Sequence, residues 1–524
     1  MKTKLFFSTF VLLFLQIINA QTLTLNRHIL MGGTDSDKIS SVIYTNSDNY
    51  VASGYYKSTD GDFTANLGNY DCFVQKTDAN FNLLWRTTFG GSLADYLYDI
   101  KEVENGNFIA VGYSKSNDND ITGNHGNYDY LVVKIDPNGA ILWQKSFGGN
   151  DVDKATSVVM TDDGHYLILG YSKSVDGDIP ATANKGGYDL WLINIDANGM
   201  LQWQKNLGGS SDDKSSKIYI IPNSNPQAYI ITAYSKSNNG DLTANQGNYD
   251  FWFLKIDNNG NILWQQSYGG SDIDNSPVAN VGEFSLNVLG STNSTDGDIV
   301  QPKGNFDVWL AKLDIDDGSL ITAENIGGSG ADFGVDIMID DVLTRQNVYS
   351  NLVIAAYSNS DDGDFATNNG GYDNWLLTNE NNNRTATNFG GNDSDVLYGM
   401  IHRNYVLNPI IIYGTTKSNN GGYSQQHGNY DGLITIIDTG SNALVEDELK
   451  IDIYPNPAQN FINIETNDLQ QITIFNNEGK LVINKQLQSN LNHCNISTAD
   501  LATGIYTLKI KTKHGISVRK LIIK

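Results

Sequence analysis

The chain has 524 residues, 40% of them hydrophobic, enough to bury a sizeable core, and length alone suggests two or three domains. Nine Pro and 51 Gly among abundant Asn, Asp, Thr and Tyr describe many short strands joined by tight turns, an all-β composition. A formal net charge of -25 repels phosphate backbones and anionic lipid, which sets nucleic acid and acidic membrane surfaces aside and leaves cations, neutral glycans and basic proteins as partners.

Residues 1–20 carry Lys2 and Lys4, an apolar run from Leu5 to Ile18, and Ile18-Asn19-Ala20 before Gln21. This pattern predicts a secretory signal cleaved between Ala20 and Gln21. The run of about 14 residues is shorter than the roughly 20 that span a bilayer, so no transmembrane segment is expected in the mature chain. Cys72 and Cys494 are the only cysteines and fall in different regions, which excludes a disulfide framework.

From residue 32 onward a Gly-Gly-x-x-x-Asp motif occurs seven times. Its first glycines are Gly32, Gly90, Gly148, Gly208, Gly269, Gly327 and Gly390, spaced by 58, 58, 60, 61, 58 and 63 residues. The motif Asp stands at Asp37, Asp95, Asp153, Asp213, Asp274, Asp332 and Asp395, a repetition that marks a structural role.

One repeat, residues 148–207, contains four strand-like runs: a (154–160), b (165–171), c (189–195) and d (200–207). The a–b and c–d links, Asp162-Asp163-Gly164 and Asp196-Ala197-Asn198-Gly199, suit hairpins. Four antiparallel strands per unit describe a propeller blade, and seven units a seven-bladed β-propeller over residues 21–438. The seventh repeat stops after its c run, 432–438, and residues 22–31 form an orphan d run that can pair into the last blade and close the ring.

Strand b keeps a small residue at one position (Gly54, Gly112, Gly170, Ala233, Gly290, Ala356, Gly414), which close approach of neighbouring blades would explain. Trp85, Trp143, Trp203 and Trp264 recur in d, and Trp191, Trp252, Trp309 and Trp375 in c, as expected for packing between blades.

A meander puts the d–a and b–c connections on one face of the disc, and only these are long, so loop-borne function belongs there. The b–c loops carry Asp60 and Asp62, Asp118 and Asp120, Asp176 and Asp178, Asp241 alone, Asp296 and Asp298, and Asp362 and Asp364. Paired carboxylates flanking Gly suit calcium, which takes six to eight oxygen ligands, though such residues also cap their own turns. No other cofactor is expected.

A further Asp, at Asp71, Asp129, Asp189, Asp250, Asp307, Asp373 and Asp431, always follows Tyr or Phe and opens strand c, where a structural latch to backbone amides is expected. Every one of these carboxylates is repeated, whereas catalysis needs one singular group, so no catalytic residue is assigned. His125 and His427 precede Gly-Asn-Tyr-Asp in two loops, where other repeats have Leu67, Lys185, Gln246, Lys303 or Asn369. That is a weak metal pattern.

After Asp438 the repeat ends; residues 439–449 read as a polar, acidic linker, and 450–524 as alternating strands of a small β-sandwich. This last region carries Tyr454-Pro455-Asn456-Pro457, Asn477-Glu478-Gly479-Lys480, Gly504-Ile505-Tyr506 and a terminal run from Lys520 to Lys524. It resembles the type A C-terminal sorting domain of the type IX secretion system of Bacteroidota. Glu478 stands where that family often has Asp.

The resemblance implies export by the N-terminal signal and recognition of residues 450–524 by the type IX machinery, with the cargo released or held on the outer cell surface of a Gram-negative bacterium. The repeats resemble seven-bladed propeller proteins exported by the same bacteria. Together these point to a secreted or surface binding and adhesion propeller whose long-loop face takes a glycan or protein. A polysaccharide-active enzyme and a non-binding scaffold are the alternatives.

Overall fold

The computed structural model describes residues 23–282, 284–340, 351–380, 383–402, 409–420, 423, 426–438, 452–476, 480–499, 501–512 and 515–524. The expected signal with Ala20 and Gln21, the expected linker 439–449, and Gly479 lie outside the described residues. The chain splits into two compact units, 1–439 and 440–524.

The first unit is a seven-bladed β-propeller of four-stranded antiparallel sheets. In the third blade the strands are Asp153–Met160, Tyr166–Ser172, Asp189–Ile195 and Leu201–Leu207, within one residue of expectation. Strands b and c are buried on both faces because each blade is covered by two neighbours, so they read as continuous apolar runs such as Asp129–Ile135. Strand d is largely half-buried and forms the outer rim. The a strands of successive blades touch all the way round the ring, which makes them the hub.

Blades adhere through shared apolar clusters. Val132 and Tyr130 of the second blade pack with Val158, Ile168 and Trp191 of the third. Each such fully buried side chain contributes about 1.5–3 kcal/mol. The tryptophans serve these junctions: Trp191 is buried and donates Nε1–H to Gln204 Oε1 at 2.8 Å, and Trp85 and Trp264 reach the next blade's c–d turn at Pro137 O and Ile315 O.

The small residue on strand b has a different main cause from the one expected. A Cβ at Gly54, Gly112 or Gly414 would meet the carbonyl of Lys38, Tyr96 or Val396 at about 2 Å, on strand a of its own blade. A register break in each a strand pushes that carbonyl toward b. A neighbouring blade intrudes at Gly170, through Tyr130 Oη, and at Gly290, through Phe251.

Strand Thr24–Met31 pairs antiparallel with Asp431–Asp438 and completes the last blade, from Thr24 opposite Asp438 to Met31 opposite Gly432.

The second unit is one five-stranded sheet comprising Asp452–Tyr454, Phe461–Phe475, Leu481–Ser497, Gly504–Thr512 and Gly515–Ile523. Register breaks between Glu465 and Gln471 let the sheet bend around Ile462, Ile464, Ile472, Ile474, Leu508 and Leu521. The motif residues tie its ends together. Asn456 Oδ1 accepts the Ile522 amide at 2.9 Å, and the Lys524 amide donates to Ala458 O at 2.8 Å. Tyr506 Oη donates to Ala502 O at 2.8 Å, and Tyr454 Oη donates to Glu465. Pro455, Pro457, Phe461 and Lys524 line one cleft of about 360 Å³, and the Lys480 amide is held by Asn476 Oδ1 at 2.9 Å.

Candidate functional site

On the long-loop face every d–a corner is built alike. Asp153 Oδ2 accepts the Gly149 amide at 2.8 Å and the Ser174 hydroxyl at 2.9 Å, and Ser174 Oγ accepts the Asp151 amide at 3.0 Å. Asp37, Asp95, Asp213, Asp274, Asp332 and Asp395 repeat the pattern with Ser58, Ser116, Ser237, Ser294, Ser360 and Ser418. These seven serines had no assigned role in the sequence, although their strict recurrence was visible there. The motif Asp amide also crosses to the preceding blade, as from Asp153 N to Tyr128 O at 2.6 Å.

The paired loop carboxylates are spent on the same corner. Asp60 Oδ1 accepts the Thr34 amide at 2.7 Å, and Asp62 Oδ2 accepts the Gly32 amide at 3.0 Å. Asp118, Asp176, Asp296 and Asp362 occupy the first role, and Asp120, Asp178, Asp241, Asp298 and Asp364 the second. Where a carboxylate is missing, Asn239, Asn420 and Asn388 substitute, which shows that the task needs an acceptor and no charge. Among the described residues there is no group of three or more Asp, Glu, His or Cys side chains placed to hold a metal ion.

The strand-c aspartates form the second anchor. Asp71, Asp129, Asp189, Asp250, Asp307, Asp373 and Asp431 each accept an amide four residues back in their own loop, at 2.6, 2.8, 2.6, 2.5, 2.6, 2.6 and 2.8 Å. The other oxygen, Oδ1, is buried and has no conventional donor. It lies against the first glycine of the next motif: a Cβ on Gly208 would sit 2.5 Å from Asp189 Oδ1 and 2.7 Å from Asp213 Oδ2. Only glycine fits between two carboxylates, and its Cα–H groups face the orphaned oxygen.

His125 and His427 belong to this anchor. Their Nδ1 atoms lie 2.8 and 3.3 Å from Asp129 and Asp431 Oδ2. His125 also lies 3.9 Å from Asp178 of the following blade. Lys185 and Lys303 hold the same loop position in the third and fifth blades and pair with Asp241 and Asp364 of the blade that follows.

Burial pushes these carboxylates up, reinforced by their neighbours: Asp71 and Asp129 to about 6, Asp189 and Asp250 to about 7, and Asp395, against its hydroxyl and amide donors, to about 6. Values above the unfolded one, about 3.9, mean that the folded state binds more protons between about pH 4 and 7. The stability they contribute is complete below that window and is lost as pH rises through 6 to 7. Glu104, held low against its own desolvation by Lys134 and Tyr166, opposes this only below about pH 4. Calorimetry is therefore expected to give a Tm several degrees higher near pH 5 than near pH 8, and an equal or lower Tm near pH 5 would contradict this account.

Nearer the axis the face changes character. Tyr55, Tyr70, Tyr96, Tyr98, Tyr113 and Tyr128 form one array, with centroids 4.7 Å apart for Tyr55 and Tyr96, 4.9 Å for Tyr96 and Tyr113, and 5.2 Å for Tyr113 and Tyr128. Tyr98 stacks on Tyr113 at 5.3 Å and is 38% exposed. Beside the array a shallow cleft of about 440 Å³ is lined by Leu93, Lys115, Asn117, Asp118, Asn124 and His125. The sequence showed the aromatic before each strand-c Asp, but not that rings from successive blades would meet.

One group is not repeated. Strand a places Asp99, Lys217 and Asp336 of the second, fourth and sixth blades at matching positions on the hub, each just past the register break. Burial alone would lower Lys217, but Asp336, Tyr219, Tyr413 and Asp99 hold it above the ordinary lysine range. That direction favours its ammonium form. Asp99 Oδ2 accepts Ser157 Oγ at 3.0 Å and the Val158 amide at 3.1 Å, and Asp336 Oδ2 the Met400 amide at 3.1 Å.

Residues 452–524 match the secretion system C-terminal sorting domain family, and the protein is accordingly a secreted or cell-surface cargo of type IX secretion. No curated protein matches the chain. Solved structures similar to it include a mutant apocarotenoid oxygenase of Synechocystis, at 13% identity and a TM-score of 0.33 over 59% of this chain. The chain spans 66% of that oxygenase. Raptor of Chaetomium thermophilum matches at 7% identity and a TM-score of 0.41, over 78% of this chain and 29% of its own. A subtype N11 neuraminidase-like protein of a flat-faced bat isolate matches at 11% and 0.32, over 64% and 84%.

Proposed function

We propose that the protein is a secreted or cell-surface binding propeller that holds a sugar chain on the hub of its long-loop face. The observation that carries this is the six-tyrosine array with Tyr98 at its exposed edge. Aromatic faces take the apolar face of a sugar ring, and the Asn117 and Asn124 amides, the Asp118 carboxylate and the Ser92 hydroxyl of the adjoining cleft suit its hydroxyl groups. The loop carboxylates hold the platform rigid through backbone amides, which limits the ordering entropy of binding.

The test is retention of the purified mature chain on immobilised polysaccharides, with calcium and with chelator. At least one matrix is expected to retain it, unaffected by chelator. Tyr98→Ala is expected to weaken retention about tenfold, or 1.4 kcal/mol, without lowering Tm. Absence of retention on every matrix would sink the proposal in favour of protein adhesion or a scaffold. A polysaccharide-active enzyme is the second reading, favoured only by the unrepeated Asp99, Lys217 and Asp336; new reducing ends during incubation would support it.

A further inference from the structure

The net charge of -25 does not describe the hub. Residue two of strand a is Lys38, Lys154 or Lys214 in the first, third and fourth blades, and the residue following strand b is Lys57, Lys115, Lys173, Lys236 or Lys417 in blades one to four and seven. Asp35 takes Lys57 at 3.1 Å and Asp393 takes Lys417 at 3.8 Å. Among the described residues no carboxylate lies within 4.0 Å of Lys38, Lys115, Lys154, Lys173, Lys214 or Lys236.

These six are held over tyrosine faces instead. Lys154 Nζ is 4.3 Å from the Tyr113 centroid and 5.1 Å from that of Tyr128, which Lys115 flanks at 5.7 Å. Lys214 lies 4.9 Å from Tyr188, which Lys173 approaches at 5.9 Å, and 5.8 Å from Tyr249, which Lys236 approaches at 4.3 Å. Lys38 sits 5.8 Å from Tyr55. The arrangement is one-sided: the fifth and sixth blades keep the rings, Phe306, Phe333, Tyr357 and Tyr372, but have Asn275, Asn293 and Asn359 where the lysines would stand.

A tyrosine face is a weak partner for an ammonium compared with a carboxylate, so these charges stay available. Lys154 is pushed below the ordinary lysine value by burial and then by the Lys214 ammonium, two like charges that a bound anion would relieve. Besides the motif aspartates, which the corner amides and serines engage, Asp151, Asp212 and Asp272 are the acidic residues of the same corners; Asp212 is engaged by the Tyr188 amide at 3.1 Å and by Tyr249 Oη at 3.3 Å.

Resting on the proposed sugar-binding function, we infer that the ligand is an anionic glycan. Its rings lie on the tyrosine array and its carboxylate or sulfate groups reach the lysines of blades one to four. The acidic exterior then excludes free polyanions without ring faces, while the hub accepts one that carries both.

The test is affinity electrophoresis of the mature chain in polygalacturonate, dextran sulfate, neutral dextran and polyglutamate, at low and at moderate salt. Either anionic glycan is expected to bind at least tenfold tighter than dextran, more weakly at moderate salt, and at least tenfold more weakly in Lys154→Gln/Lys214→Gln. Lys145→Gln on the outer rim should change nothing. Equal retardation by dextran and the anionic glycans, indifferent to the lysine variant, would overturn this inference and leave sugar binding standing. Polyglutamate binding as tightly as the glycans would overturn the glycan assignment, and no retardation in any sugar would overturn both readings. Preference between carboxylate and sulfate identifies the substituent.

Discussion

Deleting residues 23–31 is expected to leave a chain that cannot close its ring and that aggregates or melts far below the intact protein. Those residues supply the outer strand of the last blade, paired along Asp431–Asp438. Each ladder hydrogen bond lost contributes roughly 0.5–1.5 kcal/mol. Met31, 3% exposed, packs with Ile39, Tyr50, Tyr413 and Ile434 from the blades on either side of the seam. Its removal opens a cavity at the junction of the first and last blades, a further loss of about 2–5 kcal/mol by analogy with large-to-small core changes. The exposed strand edge is then free to pair between molecules. Circular dichroism melts and gel filtration would show this, and a peptide of residues 22–33 added in trans should restore part of the lost Tm. A truncated chain that melts like the intact one would mean that the ring is closed by packing of the other blades alone.

The second large effect concerns the motif aspartate. Asp153→Ala is expected to destabilise by several kcal/mol, because the Gly149 amide and the Ser174 hydroxyl lose their shared acceptor in a site 0% exposed. An orphaned buried donor costs about 1–3 kcal/mol. Against this stands relief of a desolvated charge beside Asp129, whose own value burial and Asp153 raise to about 6. The conservative change separates the two contributions. Asp153→Asn keeps an acceptor for Gly149 and Ser174, removes the charge, and is expected to unfold in urea within about 1 kcal/mol of the parent. It should also flatten the stability difference between pH 5 and pH 8. If Ala and Asn were equally tolerated, the corner would owe nothing to these hydrogen bonds.

Both effects trace to features legible in the sequence, and the long-loop face shows where legibility stops. The period of the Gly-Gly-x-x-x-Asp motif locates every corner, and the missing d strand of the seventh repeat locates its replacement at Thr24–Met31. The paired loop aspartates were equally visible, but spacing cannot say whether an oxygen meets a cation or an amide. The substitution of Asn239 and Asn420 at those positions was the available sign that an uncharged acceptor suffices. The small residue of strand b was visible too, while the carbonyl that requires it comes from a register break no pattern announces.

The sequence by itself determined the repeat, the blade, the ring, the route of export and the side of the disc that carries long loops, because each depends on local periodicity or on a contiguous motif. The tertiary structure alone decided that Tyr98 and Tyr113 meet Lys154 across a blade junction, and that Asp99, Lys217 and Asp336 share the hub. A repeat assigns each residue a height and a radius within its own blade. Which side chains from different blades face one another follows only when seven sheets close around one axis, bringing residues more than 100 positions apart into the same few ångströms.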